Sequence, residues 1–288
     1  MSYTRKTYSL ISFLFVMLGL LSCKKPIDFS YREKNQTFYV SPPAIADTLD
    51  KSIYTYYDFN NTIGDWFEIS QCCSWSGIID KNIKRAGSGS LKVELRKADT
   101  PNGHRSELGM EPSSKNANGW YAFALYFPTE YISDVMEESI VQWHAQPDMP
   151  GEVNGSAPVF LGVLANRYIL ELRTDPKKTT IQGDWTYNRI DLGPIDKSKW
   201  TDWVFHIKWA YDNTGVLEVW KNKNKVVSRI NLPNSFNDDT YPYFKIGIYR
   251  YNWDKMPNNP IASRTIYVDE VKIANETGNL EKMSSVIN

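Results

Sequence analysis

What most constrains this chain is a series of short runs in which apolar and polar residues alternate. Each run is bounded by Gly, Pro, Asn or Asp. The clearest are Ser90–Lys97, Gly119–Phe127, Ser139–Ala145, Pro158–Leu164, Tyr168–Arg173, Asp202–Trp209, Gly215–Lys221, Lys225–Ile230, Tyr243–Tyr249 and Thr265–Ala274. Period-two alternation puts successive side chains on opposite faces of a strand. Many such runs at close spacing predict an all-β sandwich. Only the stretch around Glu130–Glu138 has helical character, and it is short. No repeat period and no break in composition divides the run of strands. One sandwich domain over residues 51–276 is expected, with a C-terminal tail over 277–288.

The first 50 residues read differently. Arg5 and Lys6 precede an apolar run from Leu10 to Leu21, too short to span a bilayer and of the kind found in export signals. It ends in Leu20-Leu21-Ser22-Cys23, which resembles a bacterial lipobox. On this reading residues 1–22 are a lipoprotein signal peptide and Cys23 carries the lipid. Residues 23–50 are then a polar, proline-containing tether. The expected product is an exported bacterial lipoprotein, membrane-anchored on the periplasmic face or at the cell surface. Cys72 and Cys73 remain; adjacent cysteines rarely bridge each other, and a role as small buried apolar residues is open to them. The formal net charge is zero, so nothing global steers the chain to nucleic acid. Without residues 1–22, 31 basic side chains face 33 acidic ones. Any basic recognition of a polyanion must therefore be local. Aromatic residues make up 14% of the chain, a surplus of the kind that lines sugar-binding grooves.

Three motifs place chemistry on strand faces. In His104-Arg105-Ser106-Glu107-Leu108, Arg105 and Glu107 share a face, and a planar guanidinium matches a carboxylate. In Gln142-Trp143-His144, Trp143 faces the core while Gln142 and His144 face away from it. In Tyr243-Phe244-Lys245-Ile246-Gly247-Ile248-Tyr249, the residues Phe244, Ile246 and Ile248 go inward and Lys245, Gly247 and Tyr249 outward. Gly247 either marks a bulge or admits a ligand close to the backbone. Each motif has an ordinary explanation as a solvated strand face; together they gather Arg, Gln, His, Lys and Tyr behind one core.

These three motifs, in this order, resemble those of the β-jelly-roll polysaccharide lyases, including alginate lyases of that fold. Gln142–His144, Trp200–Trp209 and Tyr243–Arg250 are similar still more to the heparin lyase I and glucuronan lyase group. The resemblance covers residues 53–275. It implies a concanavalin A-like jelly roll with a concave substrate groove and catalytic His144 and Tyr249, with Lys245 also in the site. The chain lacks the long insertions of heparin lyase I, which favours the glucuronan lyase branch.

The expected activity is β-elimination on a uronic-acid polymer, glucuronan-like first, then alginate or heparin/heparan sulfate. A base removes the C5 proton, an acid protonates O4, and a C4–C5 double bond remains. Arg105 and Gln142 are candidates to neutralise the substrate carboxylate. Tyr249 is the candidate acid, and beside Lys245 also a candidate base; His144 is the other candidate base. Candidate substrate-binding residues are His104, Arg173, His206, Lys208, Arg250, Tyr251 and Trp253. Catalysis requires no cofactor on this reading. Asp58 and Asp269 are candidates for a structural calcium ion. A monomer is expected. The alternative is a non-catalytic glycan-binding surface lipoprotein on the same sandwich. A glycoside hydrolase ranks last, because Glu107 is the only acid in the three motifs.

Overall fold

The computed structural model describes residues 49–99, 103–112, 117–152, 156–255 and 258–284. The expected signal peptide, Cys23 and all but the end of the expected tether lie outside the described residues.

Fifteen strands are described: β1 (Ile53–Tyr57), β2 (Glu68–Ser70), β3 (Gly77–Asp80), β4 (Ser90–Arg96), β5 (Arg105–Gly109), β6 (Asn118–Tyr126), β7 (Glu138–His144), β8 (Val159–Leu164), β9 (Arg167–Thr174), β10 (Thr186–Pro194), β11 (Trp200–Lys208), β12 (Val216–Lys221), β13 (Asn224–Ile230), β14 (Tyr243–Tyr249) and β15 (Ser263–Ala274). They form two antiparallel sheets. One has the order β13-β12-β11-β6-β15-β4-β3, with β1 also paired to β15. The other has the order β10-β9-β8-β7-β14-β5-β2. This is the all-β sandwich that the alternation predicts, in the jelly-roll form that the resemblance implies.

Aromatic rings knit the sheets together. Trp143 of β7 packs at 5.3 Å from Tyr121 of β6 and 4.8 Å from Phe205 of β11, ring centre to ring centre. Phe244 of β14 stacks on Tyr121 at 5.7 Å. Burying one such ring contributes roughly 3 kcal/mol. Because side chains alternate, fixing Trp143 and Phe244 inward turns Gln142, His144, Tyr243 and Lys245 outward.

Gly247 belongs to a bulge. The pairing of β14 with β7 shifts between Ile246 and Tyr249, and Gly247 has φ +146°. A Cβ there would lie 2.1 Å from the Ser106 carbonyl oxygen. The glycine is required by the close approach of the β5 backbone, not by a ligand.

Several expectations are corrected. Residues Glu130–Glu138 form no helix. Their acids serve a buried ion network instead. Arg250 reaches Asp134 at 2.6 Å and Glu138 at 3.2 Å, while Arg264 reaches the same two at 3.2 and 2.9 Å. Cys72 and Cys73 are joined by a disulfide in the turn after β2, where the Ser76 amide donates to the Cys73 carbonyl. Strands β1, β2, β3 and β10 are not among the clearest alternating runs; β2 and β3 are only three and four residues long, and β10 is mostly exposed and polar. Part of the expected tail is a one-turn helix, α1 (Leu280–Ser284), whose Met283 packs with Trp120 and Trp220. Among the described residues no helix is long and apolar enough to cross a membrane.

Glu138 balances two fully buried guanidinium groups. Breaking such a network leaves uncompensated buried charge, so Glu138→Ala is expected to cost about 3–5 kcal/mol. Urea unfolding followed by tryptophan fluorescence checks this; a loss under 1 kcal/mol contradicts it.

Candidate active site

The outer face of the seven-stranded sheet carries the three motifs on adjacent strands. Strand β14 lies between β7 and β5, so segments some 140 residues apart in sequence become neighbours. Three registered rows cross these strands. In the first, His144 lies opposite Tyr243. In the second, Phe160, Gln142, Lys245 and Gly109 follow one another. In the third, Ser139, Tyr249 and Arg105 do so.

The second row is held by a buried carboxylate. Glu107 is 1% exposed. Its Oε1 accepts a hydrogen bond of 2.6 Å from Gln142 Nε2. Its Oε2 lies 3.5 Å from Lys245 Nζ and 4.0 Å from Arg105 Nε. An anion this dry is tolerated only when paired and hydrogen-bonded. The bond also sets the orientation of the Gln142 amide.

Lys245 does not stand free in the face, as the sequence suggested. It is buried, and its ammonium donates to Glu68 Oε1 at 2.8 Å. Glu68 belongs to β2, two strands away. The contact passes over Gly109, where a Cβ would lie 3.1 Å from Glu68 Cβ and 3.4 Å from Lys245 Cγ. Burial pushes the Glu68 carboxyl up, but the Lys245 ammonium and the Ser70 hydroxyl outweigh it and hold Glu68 below the ordinary carboxylate value.

The cation beside Tyr249 is Arg105, not Lys245. Its guanidinium lies over the Tyr249 ring at 4.1 Å from the centroid, a favourable cation–π arrangement. His144 is on the same face and touches neither; its ring lies 5.2 Å from that of Tyr243. Counting residues along β7, the His144 and Tyr249 rows are on the order of 15 Å apart at the backbone. The Gln142 row lies between them. His144 Nδ1 is 2.8 Å from the Ala145 carbonyl oxygen. A carbonyl only accepts, so Nδ1 carries the proton and Nε2 keeps its lone pair. Burial and the Lys245 ammonium together push the imidazole below its ordinary pKa, against the pull of the Ala145 carbonyl. At neutral pH it is an uncharged base.

Further along the face, Arg173 donates to Glu171 at 3.0 Å and to the Ala157 carbonyl at 3.0 Å. Arg189 of β10 reaches the same Glu171 and also Glu137. Tyr251 donates to Glu137 at 3.3 Å, and its ring lies 5.7 Å from that of Tyr249. Burial and the neighbouring Glu171 push the Glu137 carboxyl up to about 7. Arg173 and Tyr251 are thus on the expected face.

Five other candidates are elsewhere. His206 and Lys208 lie on β11 of the opposite sheet. His206 stacks on Trp120 at 4.3 Å, between Glu218 and Asn118. Arg250 and Trp253 are fully buried. Arg250 serves the Asp134–Glu138 network, and Trp253 lies under the guanidinium groups of Arg250 and Arg264 at 5.1 and 5.7 Å. His104 is also buried, its Nε2 at 3.2 Å from the Lys97 carbonyl oxygen and its ring edge-on to Trp253. Beyond the face, Asp269 accepts from the backbone N–H groups of Arg85, Ala86 and Glu270. Asp58 accepts from Asn60. Glu68 was missed, since it sits in a three-residue strand with no recognisable motif; so was Tyr243 as the neighbour of His144.

A family model described as "Polysaccharide lyase" matches residues 47–272. No curated protein matches the sequence. Among solved structures, the chain is similar to an endo-β-1,4-glucuronan lyase from the fungus Trichoderma reesei, with TM-score 0.67 and 20% identity over 77% of this chain and 95% of that one. It is also similar to a cellulose-induced protein, Cip1, with TM-score 0.50 and 13% identity over 76% and 96%. The alginate lyase Aly36B follows with TM-score 0.49 and 13% identity over 76% and 96%. With a family match across most of its length, on a sandwich of the matching architecture, the chain belongs to the polysaccharide lyases and is an enzyme of that kind.

Proposed function

We propose that the enzyme cleaves a uronic-acid polymer by β-elimination, with glucuronan as the first-choice substrate and alginate or heparin/heparan sulfate behind it. The observation that carries the reading is the Arg105 guanidinium lying 4.1 Å over the Tyr249 ring on the same face as a neutral His144. The similarity to a glucuronan lyase supports the choice of polymer.

A uronate seated over Gln142 has Arg105 and Tyr249 on one side and His144 on the other. Arg105 and the Gln142 amide neutralise its carboxylate, which lets electron density move from C5 toward the carboxyl group. The C5–H bond breaks, its electron pair forms the C4–C5 double bond, the C4–O4 bond breaks, and O4 takes a proton. In glucuronate H5 and O4 lie on the same side of the ring. The Tyr249 Oη then takes H5 and gives a proton to O4, so the phenol ends the step as it began. In guluronate or iduronate they lie on opposite sides, and His144 Nε2 takes H5 while Tyr249 protonates O4. Glu107 and Lys245 hold these groups in place without touching the sugar. Export and a lipid on Cys23 belong to the same proposal, on the strength of the residue pattern over 5–23.

Separate assays on glucuronan, alginate and heparan sulfate are expected to show rising ultraviolet absorbance from an unsaturated uronide on at least one. No rise on any of them contradicts the proposal. Tyr249→Phe removes both proton transfers on glucuronate and the protonation of O4 on guluronate or iduronate, and is expected to lower kcat by about 10³-fold or more on every substrate, with an unchanged circular dichroism spectrum. Retention of a tenth of the activity would count against Tyr249. The neutral imidazole has its own check: NMR titration of His144 is expected to give a midpoint below the ordinary 6.5, and a midpoint above it contradicts the assignment.

A further inference from the structure

The cations of the candidate site are already countered. Arg105 and Lys245 face Glu107 and Glu68, so among the described residues around Gln142 the formal charge is balanced. The two cations are not equally available. The Lys245 side chain is 1% exposed and lies beneath Glu68, whose side chain is 30% exposed. A ligand on this part of the face therefore meets the carboxylate, not the ammonium. Arg105 is 27% exposed, and its nearest carboxylate oxygen is 4.0 Å away. It can take one substrate carboxylate.

Glu68 is held in that position from three sides. Ser70 donates to its Oε1 at 2.5 Å, Lys245 donates to the same oxygen, and the bare backbone of Gly109 leaves the passage between β2 and β14. Its charge reaches the reacting groups. It acts on His144 and Tyr243 electrostatically, and Arg105 acts on it in turn. Further along the face Arg173 and Arg189 are likewise engaged, by Glu171 and Glu137. A sugar bearing a carboxylate and nothing else finds its counter-ion in Arg105. A sugar bearing a sulfate as well brings a second anion for which these residues hold no spare cation, and sets it against Glu68.

Resting on the reading of the site as a uronan lyase, we propose that Glu68 is a specificity-determining residue that disfavours sulfated uronates and so ranks heparan sulfate behind the unsulfated polymers. It does so by like-charge repulsion. It leaves the chemistry to Tyr249, Arg105 and His144.

The test uses the polyuronate that the full chain cleaves fastest, and the same polymer chemically O-sulfated, with initial rates of unsaturated-product absorbance. The wild-type protein is expected to prefer the unsulfated form by about 100-fold or more in kcat/KM. Glu68→Gln is expected to shrink that ratio by about tenfold or more, through a gain on the sulfated polymer. Glu68→Asp, which keeps the charge, is expected to hold the wild-type ratio. In competition, the sulfated polymer should inhibit cleavage of the unsulfated one more tightly with Glu68→Gln than with the wild type. The inference is overturned if the wild type cuts both forms equally, a result that needs no variant to fold. It is also overturned if Glu68→Gln lowers both rates by one factor, as a purely structural role would. If no polyuronate yields unsaturated product, the lyase reading itself has failed and takes this inference with it.

Discussion

The Glu107 carboxylate is almost wholly out of water, and the candidate site is arranged around what that costs. A buried anion must be matched by charge and by hydrogen bonds or it destabilises the fold by several kcal/mol. The matching groups are Gln142, Lys245 and Arg105. They come from strands β7, β14 and β5 itself, so satisfying one carboxylate brings the three motif-bearing strands into a fixed relation. The same bonds orient the Gln142 amide and leave Arg105 over Tyr249. Structural and functional demands thus meet in one residue that has no place in the proton transfers.

Behind that carboxylate is the sandwich core. Trp143, Phe244, Tyr121 and Phe205 form a continuous aromatic contact between the sheets. Their inward direction dictates the outward direction of their neighbours, and a slip of one residue would reverse both. The bulge at Gly247 adds a local correction. It lets Tyr249 pair with Ser139 and Arg105, so the phenol and the guanidinium share a row. Without that extra residue the pleat would place the strand's end differently. Close packing of Gly247 against Ser106 leaves no room for a side chain.

The alternation of apolar and polar residues was enough to foresee the sandwich, most of its long strands, and the facing of Gln142, His144, Lys245 and Tyr249. It could not tell one sheet from the other. His206 and Lys208 alternate with core residues just as His144 does, yet they lie on the far sheet. Strand pattern records which way a side chain points, not which layer it belongs to. Arg250 and Trp253 show a second limit. They follow Tyr249 closely in sequence, but the chain dives inward after β14, and Arg250 is neutralised by Asp134 of the β6–β7 connection and Glu138 at the start of β7. That pairing of residues more than a hundred positions apart leaves no local trace. Glu68 illustrates a third. Its importance comes from a glycine on the neighbouring strand and a lysine on the next, and neither is visible from its own short segment.

Glu107 holds Gln142, Lys245 and Arg105 in one arrangement without standing among the proposed proton-transfer groups. Kinetics on Glu107→Gln, an isosteric change that removes the charge, shows whether that arrangement matters to turnover. On the cleaved polyuronate kcat is expected to fall by about 100-fold or more, the scale of losing a positioned group, while the circular dichroism spectrum and the fold are retained. A folded Glu107→Gln protein with wild-type kcat would contradict it.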